Sequence, residues 1–215
     1  MILPKSKWGW IRAAALTGIL AALLVYFYLI PAVRLAGYAP QEGDIIFQSL
    51  PHVDLVDAIE GITGSPYSHC GVVAKENGTW LVIESIFDVH ETPLASWARR
   101  GRWGRFAVYR LKPEYRSHIP EFIEELHAFL GLPYDYRYRM DDESIYCSEL
   151  VWKAWKNATG EELGTLVKLG DMNWKPFEQT IRKYEDGPPP LDRGIISPRR
   201  LSEAKQIEKV YGGDF

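Results

Sequence analysis

The pattern of apolar and polar positions divides the chain into two unlike parts. Residues 13–30 (AAALTGILAALLVYFYLI) carry no charge, whereas beyond residue 39 the apolar positions fall in short runs separated by turn residues. As a helix with a rise of about 1.5 Å per residue, the first run would be about 27 Å long, close to the apolar thickness of a bilayer. We therefore expect an N-terminal helix that is separate from a folded domain at 39–215.

The flanks of the apolar run allow three interpretations. Three basic residues precede it and only one follows closely, so a membrane-spanning helix would keep the segment before it in the cytoplasm. A cleaved signal peptide would be long for its class, with a poor cleavage site near Ala32 or Ala36. A buried helix of a soluble protein is the third. We expect the span, with residues 1–12 as a cytoplasmic basic segment, 13–30 in the membrane and 31–38 as a linker.

The remainder of the chain is acidic. Without the four basic residues that flank the apolar run, the chain carries 21 basic and 28 acidic side chains, a net charge of −7. This charge argues against a nucleic-acid partner and against a basic patch held on anionic lipid. The chain has two cysteines and lacks H-E-x-x-H and C-x-x-C motifs, so we expect neither a disulfide scaffold nor a metal site.

Short strands followed by helices predict an α+β domain for the folded part. Apolar runs and alternation predict strands at 45–47, 68–74, 80–86 and 106–111. Helical spacing predicts helices at 53–62, 119–130 and 147–157, and Ser197-Pro198 is typical of the start of a short last helix.

The dipeptide Asn77-Gly78 predicts a two-residue hairpin turn, which fixes the register of the strands on either side. In that register Gly71 lies opposite Glu84, and His69 shares a face with both. His69 and Glu84 would then be diagonal neighbours, about 7–8 Å apart at their Cα atoms, and close enough for their side chains to meet. A carboxylate beside an imidazole orients it and stabilises its charged form.

Cys147 begins the predicted helix at 147–157 and lies on its apolar face. The positive end of a helix dipole and its free N–H groups favour a thiolate and stabilise an oxyanion. Buried cysteines are also ordinary core residues, and a strand histidine is often structural, so neither Cys147 nor His69 is decisive alone. Cys70 should point to the face opposite His69, and we interpret it as a core residue.

Taken together, these residues and several short motifs resemble a known family. The matching stretches are 43–47 (GDIIF), 65–73 (SPYSHCGVV), 82–85 (VIES), 131–135 (GLPYD), 146–151 (YCSELV) and the late 196–198 (ISP). Their order is similar to that of the YiiX/YebB-like relatives of the NlpC/P60 cysteine hydrolases, in which the cysteine helix follows the histidine strand instead of preceding it. The resemblance covers about residues 39–201.

The resemblance implies a circularly permuted papain-like fold of NlpC/P60 type. In this α+β fold an antiparallel sheet packs against the helix that bears the nucleophile, here behind an N-terminal transmembrane helix. It further implies Cys147 as nucleophile, His69 as general base and then acid, and Glu84 as the group that orients His69. Tyr67 and Tyr134 are candidates for substrate binding, with aromatic packing as the alternative.

Function and location follow from the same resemblance as expectations. The first is a cysteine amidase or peptidase that needs no cofactor, cleaves an amide bond in a peptide-like, cell-wall type substrate, and is held in a bacterial inner membrane with its catalytic domain in the periplasm. Signal cleavage would instead release that domain into the periplasm. The alternatives are an acyl-lipid amidase, thioesterase or acyltransferase with the same three residues, and a binding module without catalysis.

Overall fold

The structure is a computed structural model that describes residues 5–213. The first four residues of the segment expected in the cytoplasm, 1–12, therefore lie outside the described residues. The elements run in the order α1 (Lys5–Leu24), a π-helical turn (Val25–Leu29), α2 (Ile30–Ala36), β1 (Ile45–Gln48), α3 (Asp54–Thr63), β2 (His69–Glu76), β3 (Thr79–Ser85), β4 (Val89–Pro93), α4 (Leu94–Arg100), β5 (Phe106–Leu111), α5 (Ile119–Ala128), α6 (Cys147–Thr159), β6 (Val167–Lys168), α7 (Glu178–Glu185), β7 (Gly194–Ile195), α8 (Pro198–Ser202) and β8 (Ile207–Tyr211).

One antiparallel sheet organises the domain, with strand order β4-β3-β2-β1-β5-β8. Strands β6 and β7 form a separate two-stranded pair. The four predicted strands are confirmed as β1, β2, β3 and β5, and the three predicted longer helices as α3, α5 and α6. The predicted last helix is α8, with the Ser197 side chain accepting a hydrogen bond from the backbone N–H of Arg200 at 3.3 Å.

The hairpin between β2 and β3 has the predicted register. Asn77 and Gly78 adopt positive φ angles of 47° and 81°, as a two-residue turn of this type requires. Glu76 lies opposite Thr79, and Gly71 lies opposite Glu84. The turn dipeptide therefore sets which side chains of the two strands share a face.

The two faces of the sheet carry different helices. On one face, α5 and α6 pack against alternate residues of β1 and β2, among them Phe47 and Val72. On the other face, α4 and the end of α2 cover Ile46, Val73 and Val82. This alternation follows the period of two along each strand, and it assigns every strand residue near the site to one of the two layers.

Strands β4 and β8 and helix α4 are absent from the sequence-based prediction. The segment of β4, Val89–Pro93 (VHETP), mixes charged residues with a proline and has no apolar alternation. It pairs along β3, where Glu84 lies opposite His90. Pro93 closes this edge strand, as expected for a residue without a backbone N–H. Tertiary pairing decides the structure of this segment, and local pattern does not.

The N-terminal helix runs without interruption into the domain. A helical stretch over Gly9–Ala36 is long and apolar enough to cross a membrane. Pro31 has no N–H to continue an α-helix, and the turn before it is π-helical, with the N–H of Ile30 donating to the carbonyl of Val25. The segment 31–38, expected as a linker, is therefore helical as far as Ala36. Its buried Pro31 and Tyr38 belong to the fold.

Candidate active site

The structure brings His69, Glu84 and Cys147 together at one end of the sheet. His69 is the first residue of β2, Glu84 lies near the end of β3, and Cys147 is the first residue of α6. All three side chains are buried. The Nε2 atom of His69 lies 2.5 Å from Oε2 of Glu84, and the ring also hydrogen-bonds the thiol of Cys147. Because Nε2 faces the carboxylate, Nδ1 is the ring nitrogen left for the thiol.

Gly71 makes the approach of His69 and Glu84 possible. A Cβ atom at this position would lie 2.6 Å from Cγ1 of Val82 and 2.8 Å from the carbonyl oxygen of Ile83. No other residue fits here without moving β3. The glycine thus lets β3 lie close to β2 at Glu84, which it faces in the predicted register.

Glu84 is held by two groups that the sequence did not identify. The hydroxyl of Thr92 in β4 donates to Oε1 at 2.6 Å, and the guanidinium of Arg100 in α4 pairs with Oε2. Burial alone would raise the pKa of Glu84, but the hydrogen bond and charge of His69, together with Arg100 and Thr92, lower it to about 2. Glu84 is therefore a carboxylate at neutral pH.

His69 is protonated over a wide pH range. Burial acts to lower its pKa, but hydrogen bonds to Cys147 and Glu84 outweigh burial and raise the pKa to about 9. The ring also packs near the indole of Trp97, with centroids 6.1 Å apart. At neutral pH the site therefore holds an imidazolium between a carboxylate and a sulfur.

Cys147 is set up as the thiolate partner of that imidazolium. A hydrogen bond from the thiol of Cys70 and the contact with His69 lower the pKa of Cys147 well below its usual value, against the opposing effect of burial. The same contact and burial raise the pKa of Cys70. One thiol of the pair is therefore the donor and the other the thiolate.

Cys70 is a core residue, as predicted, and it also contacts Cys147. It points to the face opposite His69, as predicted from the strand alternation, and it is fully buried in the core. That face is the one on which α6 packs, so Cys70 meets the sulfur of Cys147. The sequence did not predict this contact.

An apolar cleft opens beside Cys147. Cys147 and Ser148 form part of its wall. The apolar part of its lining comes mostly from α3, α7 and the loops before α6 and α8: Leu55, Ile59, Ile62, Tyr136, Tyr138, Leu169, Ile181, Tyr184, Ile195 and Ile196. Arg137, Glu185 and Arg193 also border the cleft. A group held next to the Cys147 sulfur would thus meet a largely apolar wall.

The two tyrosines expected in substrate binding lie in different surroundings. Tyr67 packs against Phe47 and Tyr109, with ring centroids 5.2 and 6.4 Å away, and it is not among the residues that line the cleft. Tyr134 lies near the thiols, and its hydroxyl is 3.2 Å from that of Tyr138, which does line the cleft. The tyrosine-rich stretch at 134–138 could have indicated this wall, whereas the distant Tyr184 carries no such signal.

Within the described range 5–213, one cluster of side chains has the composition of a metal site. The side chains of Glu76 in β2, Glu91 in β4 and His127 in α5 place one ligand atom each within 4.8 Å of the others. Nε2 of His127 lies 3.1 Å from Oε1 of Glu91. One imidazole and two carboxylates suit a first-row divalent ion whose coordination is completed by water.

Comparison with known proteins gives matches over most of the chain. The profile of the family described as permuted papain-like amidase enzymes, YaeF/YiiX, C92 family, matches residues 39–211. The uncharacterized protein YiiX of Escherichia coli (strain K12) is 31% identical over 193 residues, which cover 87% of this chain and 94% of that protein.

The fold matches a solved structure as well. The crystal structure of a protein described as metalloprotein yiiX from Escherichia coli O157:H7 superposes with a TM-score of 0.77 at 31% identity, covering 83% of this chain and all of that one. The permuted papain-like fold expected from the sequence is confirmed by these matches and by the order of β2, β3 and α6. The chain belongs to the family of permuted papain-like amidases.

Proposed function

We propose that this protein is a thiol-dependent hydrolase that cleaves an amide bond in a peptide-like substrate, with Cys147 as nucleophile. The observation that carries this proposal is the buried chain of contacts from the Cys147 sulfur through the His69 imidazole to the Glu84 carboxylate. Binding alone would not require a thiolate beside an imidazolium, and the amidase family to which the chain belongs supports the bond type.

The reaction proceeds in two acyl-transfer steps. The sulfur of Cys147 attacks the carbonyl carbon, and the oxyanion forms near the first backbone N–H groups of α6. His69 gives its proton to the leaving amine as the C–N bond breaks, which leaves a thioester on Cys147. A water molecule, deprotonated by His69, then attacks the thioester, and the carboxylic acid leaves as the sulfur returns to thiolate.

Glu84 acts on His69 throughout this cycle. Its carboxylate fixes the ring through Nε2 and stabilises the imidazolium that the first step consumes and the second restores. Arg100 and Thr92 keep Glu84 ionised and in place. Cys70 donates to the thiolate of Cys147 in the resting enzyme.

The apolar cleft beside Cys147 favours a second candidate substrate class, an acylated amine or acyl lipid. Most of its wall is formed by aliphatic and tyrosine side chains, with Arg137, Glu185 and Arg193 at its border. A largely apolar wall favours a hydrocarbon group over a charged one. The chemistry would be unchanged, since Cys147 would attack the carbonyl of the acyl group. The two substrate classes differ in the group that fills the cleft.

The N-terminal helix supports the location of this chemistry. We propose that the helix spans the inner membrane and places the domain on the periplasmic side, because its basic residues precede the apolar run. The helical stretch at Gly9–Ala36 has the length and composition of such a span, and its most apolar 18 residues are not buried within the protein.

The decisive experiment is mass spectrometry of the intact protein after rapid acid quenching. The purified protein is mixed separately with muropeptides and with N-acyl amino acids. We expect an added mass that equals the acyl part of the substrate on wild-type protein and on Cys70→Ala, and none on Cys147→Ala. An adduct with N-acyl amino acids alone would select the acyl candidate. Absence of an adduct and of product with both classes would support a binding module instead.

Metal binding is a separate candidate function, favoured by the cluster of Glu76, Glu91 and His127 and by the description of the Escherichia coli relative as a metalloprotein. These residues would hold a divalent ion that cross-links β2, β4 and α5, so its contribution would be structural. Elemental analysis should find a transition metal on wild-type protein and on the control Glu208→Gln, but little on the double variant Glu91→Gln/His127→Gln. Removal of the metal should also lower the unfolding temperature of the wild type and of Glu208→Gln, but not that of the double variant.

A further inference from the structure

Four arginines lie within seven residues, at the end of α4 and in the segment that joins it to β5. Arg99, Arg100, Arg102 and Arg105 surround the exposed Trp103, whose side chain is 55% exposed. Two of these arginines face inward: Arg100 pairs with Glu84, and Arg102 pairs with Glu60. The other two, Arg99 and Arg105, are exposed and have no carboxylate within ion-pair distance among the described residues. The segment therefore presents positive charge outward.

This arginine segment, residues 99–105, contacts the end of the membrane helix. The rings of Trp103 and Tyr26 lie edge to face with centroids 5.0 Å apart, and the guanidinium of Arg99 lies 5.8 Å from the ring centroid of Tyr28. At Gly104 a Cβ atom would lie 2.6 Å from Cγ of Pro31, so the two backbones pack closely. A groove runs between Tyr26, Phe27 and the arginines.

The depth of the contact determines what the exposed arginines meet. Tyr26 and Tyr28 belong to the last turn and a half of the apolar run at 13–30, where aromatic side chains sit at the level of lipid headgroups. Arg99 and Trp103 touch them and lie at the same depth, and Arg105 follows Trp103 by two residues. A guanidinium at that level binds phosphate in bidentate geometry. The net charge of −7 argued against such a patch, but the fold brings four arginines together here. Glu60 and Glu84 pair with only two of them, which leaves the exposed positive charge of the other two.

We propose that the arginine segment binds the phosphate of an anionic phospholipid in the outer leaflet of the membrane that the helix spans. This inference rests on the proposed membrane anchor. Arg99 and Arg105 supply the charge, and Trp103 inserts its ring beside the glycerol region. The occupant is a lipid of that membrane, since the helix brings the segment to its surface whenever the anchor is inserted.

The test uses the full-length protein in nanodiscs of phosphatidylcholine that contain increasing fractions of brominated phosphatidylglycerol. Bromine quenches a nearby indole, and subtraction of the signal of Trp103→Phe isolates Trp103 from the other seven tryptophans. We expect half-maximal quenching at a low fraction of the brominated lipid in the wild type. Each arginine near a charged surface strengthens binding by roughly fivefold. For Arg99→Gln/Arg105→Gln we therefore expect the lipid fraction at half-maximal quenching to rise about 25-fold or beyond the accessible range.

A matched control removes the same charge elsewhere. Lys168→Gln/Lys205→Gln also lowers the charge by two at exposed positions, and its quenching curve should coincide with that of the wild type. Equal curves for the wild type and the arginine variant, or equal quenching by brominated phosphatidylcholine, would overturn the proposal while leaving the anchor intact. Release of the wild-type chain from vesicles by alkaline carbonate would overturn the anchor and this proposal with it, without bearing on Cys147.

Discussion

The two faces of strand β2 prepare the reacting groups by different means. On the face of His69, the imidazole is followed by a series of polar groups, Glu84, Thr92 and Arg100, with the last two both bound to the carboxylate. On the face of Cys70, Cys147 lies in the apolar core layer, where its polar neighbours include the second thiol and the tyrosine hydroxyls of Tyr134 and Tyr138. Charged hydrogen bonds thus hold the proposed acid–base group, His69. Core packing, the N-terminus of α6 and the hydrogen bond from the Cys70 thiol hold the proposed nucleophile, Cys147.

This difference predicts how each side tolerates substitution. A network of charged hydrogen bonds loses much when one member is removed, because the others stay buried and unpaired. A thiol in an apolar layer can be truncated at little cost in stability. We therefore expect substitutions on the His69 face to lower activity strongly. On the Cys70 face we expect a strong loss only when Cys147 itself is replaced.

The largest effect is expected for Cys147→Ala. Loss of the nucleophile should lower kcat/KM roughly 10⁴- to 10⁶-fold, with an unfolding midpoint close to that of the wild type. Steady-state hydrolysis and urea unfolding on the same preparation measure both quantities. His69→Ala should lower kcat/KM almost as much. Substantial turnover by a folded Cys147→Ala protein would refute the mechanism.

Glu84→Gln should be next. The amide keeps the size of the side chain but not the charge that stabilises the imidazolium, and we expect a loss of about 10²- to 10⁴-fold in kcat/KM. The exposed Glu124→Gln serves as the matched control and should be unaffected. If Glu84→Gln retained full activity, Glu84 would have a structural role only.

The pH dependence sharpens the same point. The pKa of His69 is raised to about 9. Wild-type kcat/KM should therefore fall as the pH rises above about 9, because His69 then lacks the proton that it donates to the leaving amine. The stability gained from charged His69 is complete below pH about 6.5 and is lost as the pH rises through about 9. In Glu84→Gln this basic limb should move to lower pH. An unmoved limb would mean that the carboxylate does not act on His69.

Cys70→Ala probes the other face and should have a smaller effect. Removing the thiol that donates to Cys147 raises the pKa of the nucleophile toward its ordinary value, so the acid limb of the pH profile should move to higher pH. Near neutral pH we expect kcat/KM to fall roughly three- to tenfold, the effect of losing one hydrogen bond of modest strength. Cys70→Ser keeps a hydrogen-bond donor and should retain most of the wild-type kcat/KM. Identical acid limbs in all three proteins would mean that Cys70 is a core residue that does not affect the pKa of Cys147.

The smallest effect on chemistry is expected at the domain boundary. A protein that begins at Ala39 lacks Tyr38, whose hydroxyl donates to Asp44 at 2.6 Å inside the second layer. We expect it to be about 2–4 kcal/mol less stable than one that begins at Pro31, because it loses a buried ring and a hydrogen bond to a carboxylate. Denaturant unfolding of the two proteins measures the difference, and kcat near neutral pH should be similar in both. Equal stabilities would place the boundary at residue 39 after all.

Local signals in the sequence were sufficient for the pair His69–Glu84 and for the helix of Cys147. The turn at Asn77-Gly78 fixes the register, and apolar spacing from Cys147 onward defines the buried face of α6. Both depend on residues close together in the chain. The expected juxtaposition of the three side chains needed, in addition, the resemblance to a family of known topology.

Other parts of the site depend on contacts that no local pattern encodes. Arg100 reaches Glu84 because α4 follows an edge strand without apolar alternation, and the approach of Cys70 to Cys147 depends on which face α6 covers. The wall of the cleft joins Tyr136 to Tyr184, whose rings stack 6.0 Å apart although they lie 48 positions apart in sequence. Long-range packing alone determines such neighbours.

The unbroken passage from the N-terminal helix to the domain has a consequence for how the protein would meet its substrate if this helix is its anchor. A flexible tether lets a domain sample a hemisphere above the bilayer, whereas a helix that continues to Ala36 and packs on α4 holds it at a set height and tilt. In an anchored protein the entrance to the cleft would therefore keep one orientation toward the lipid plane. The protein would then meet its substrate by lateral diffusion in two dimensions. The length of the helix beyond the bilayer would determine how far from the membrane surface a substrate must lie to reach the cleft.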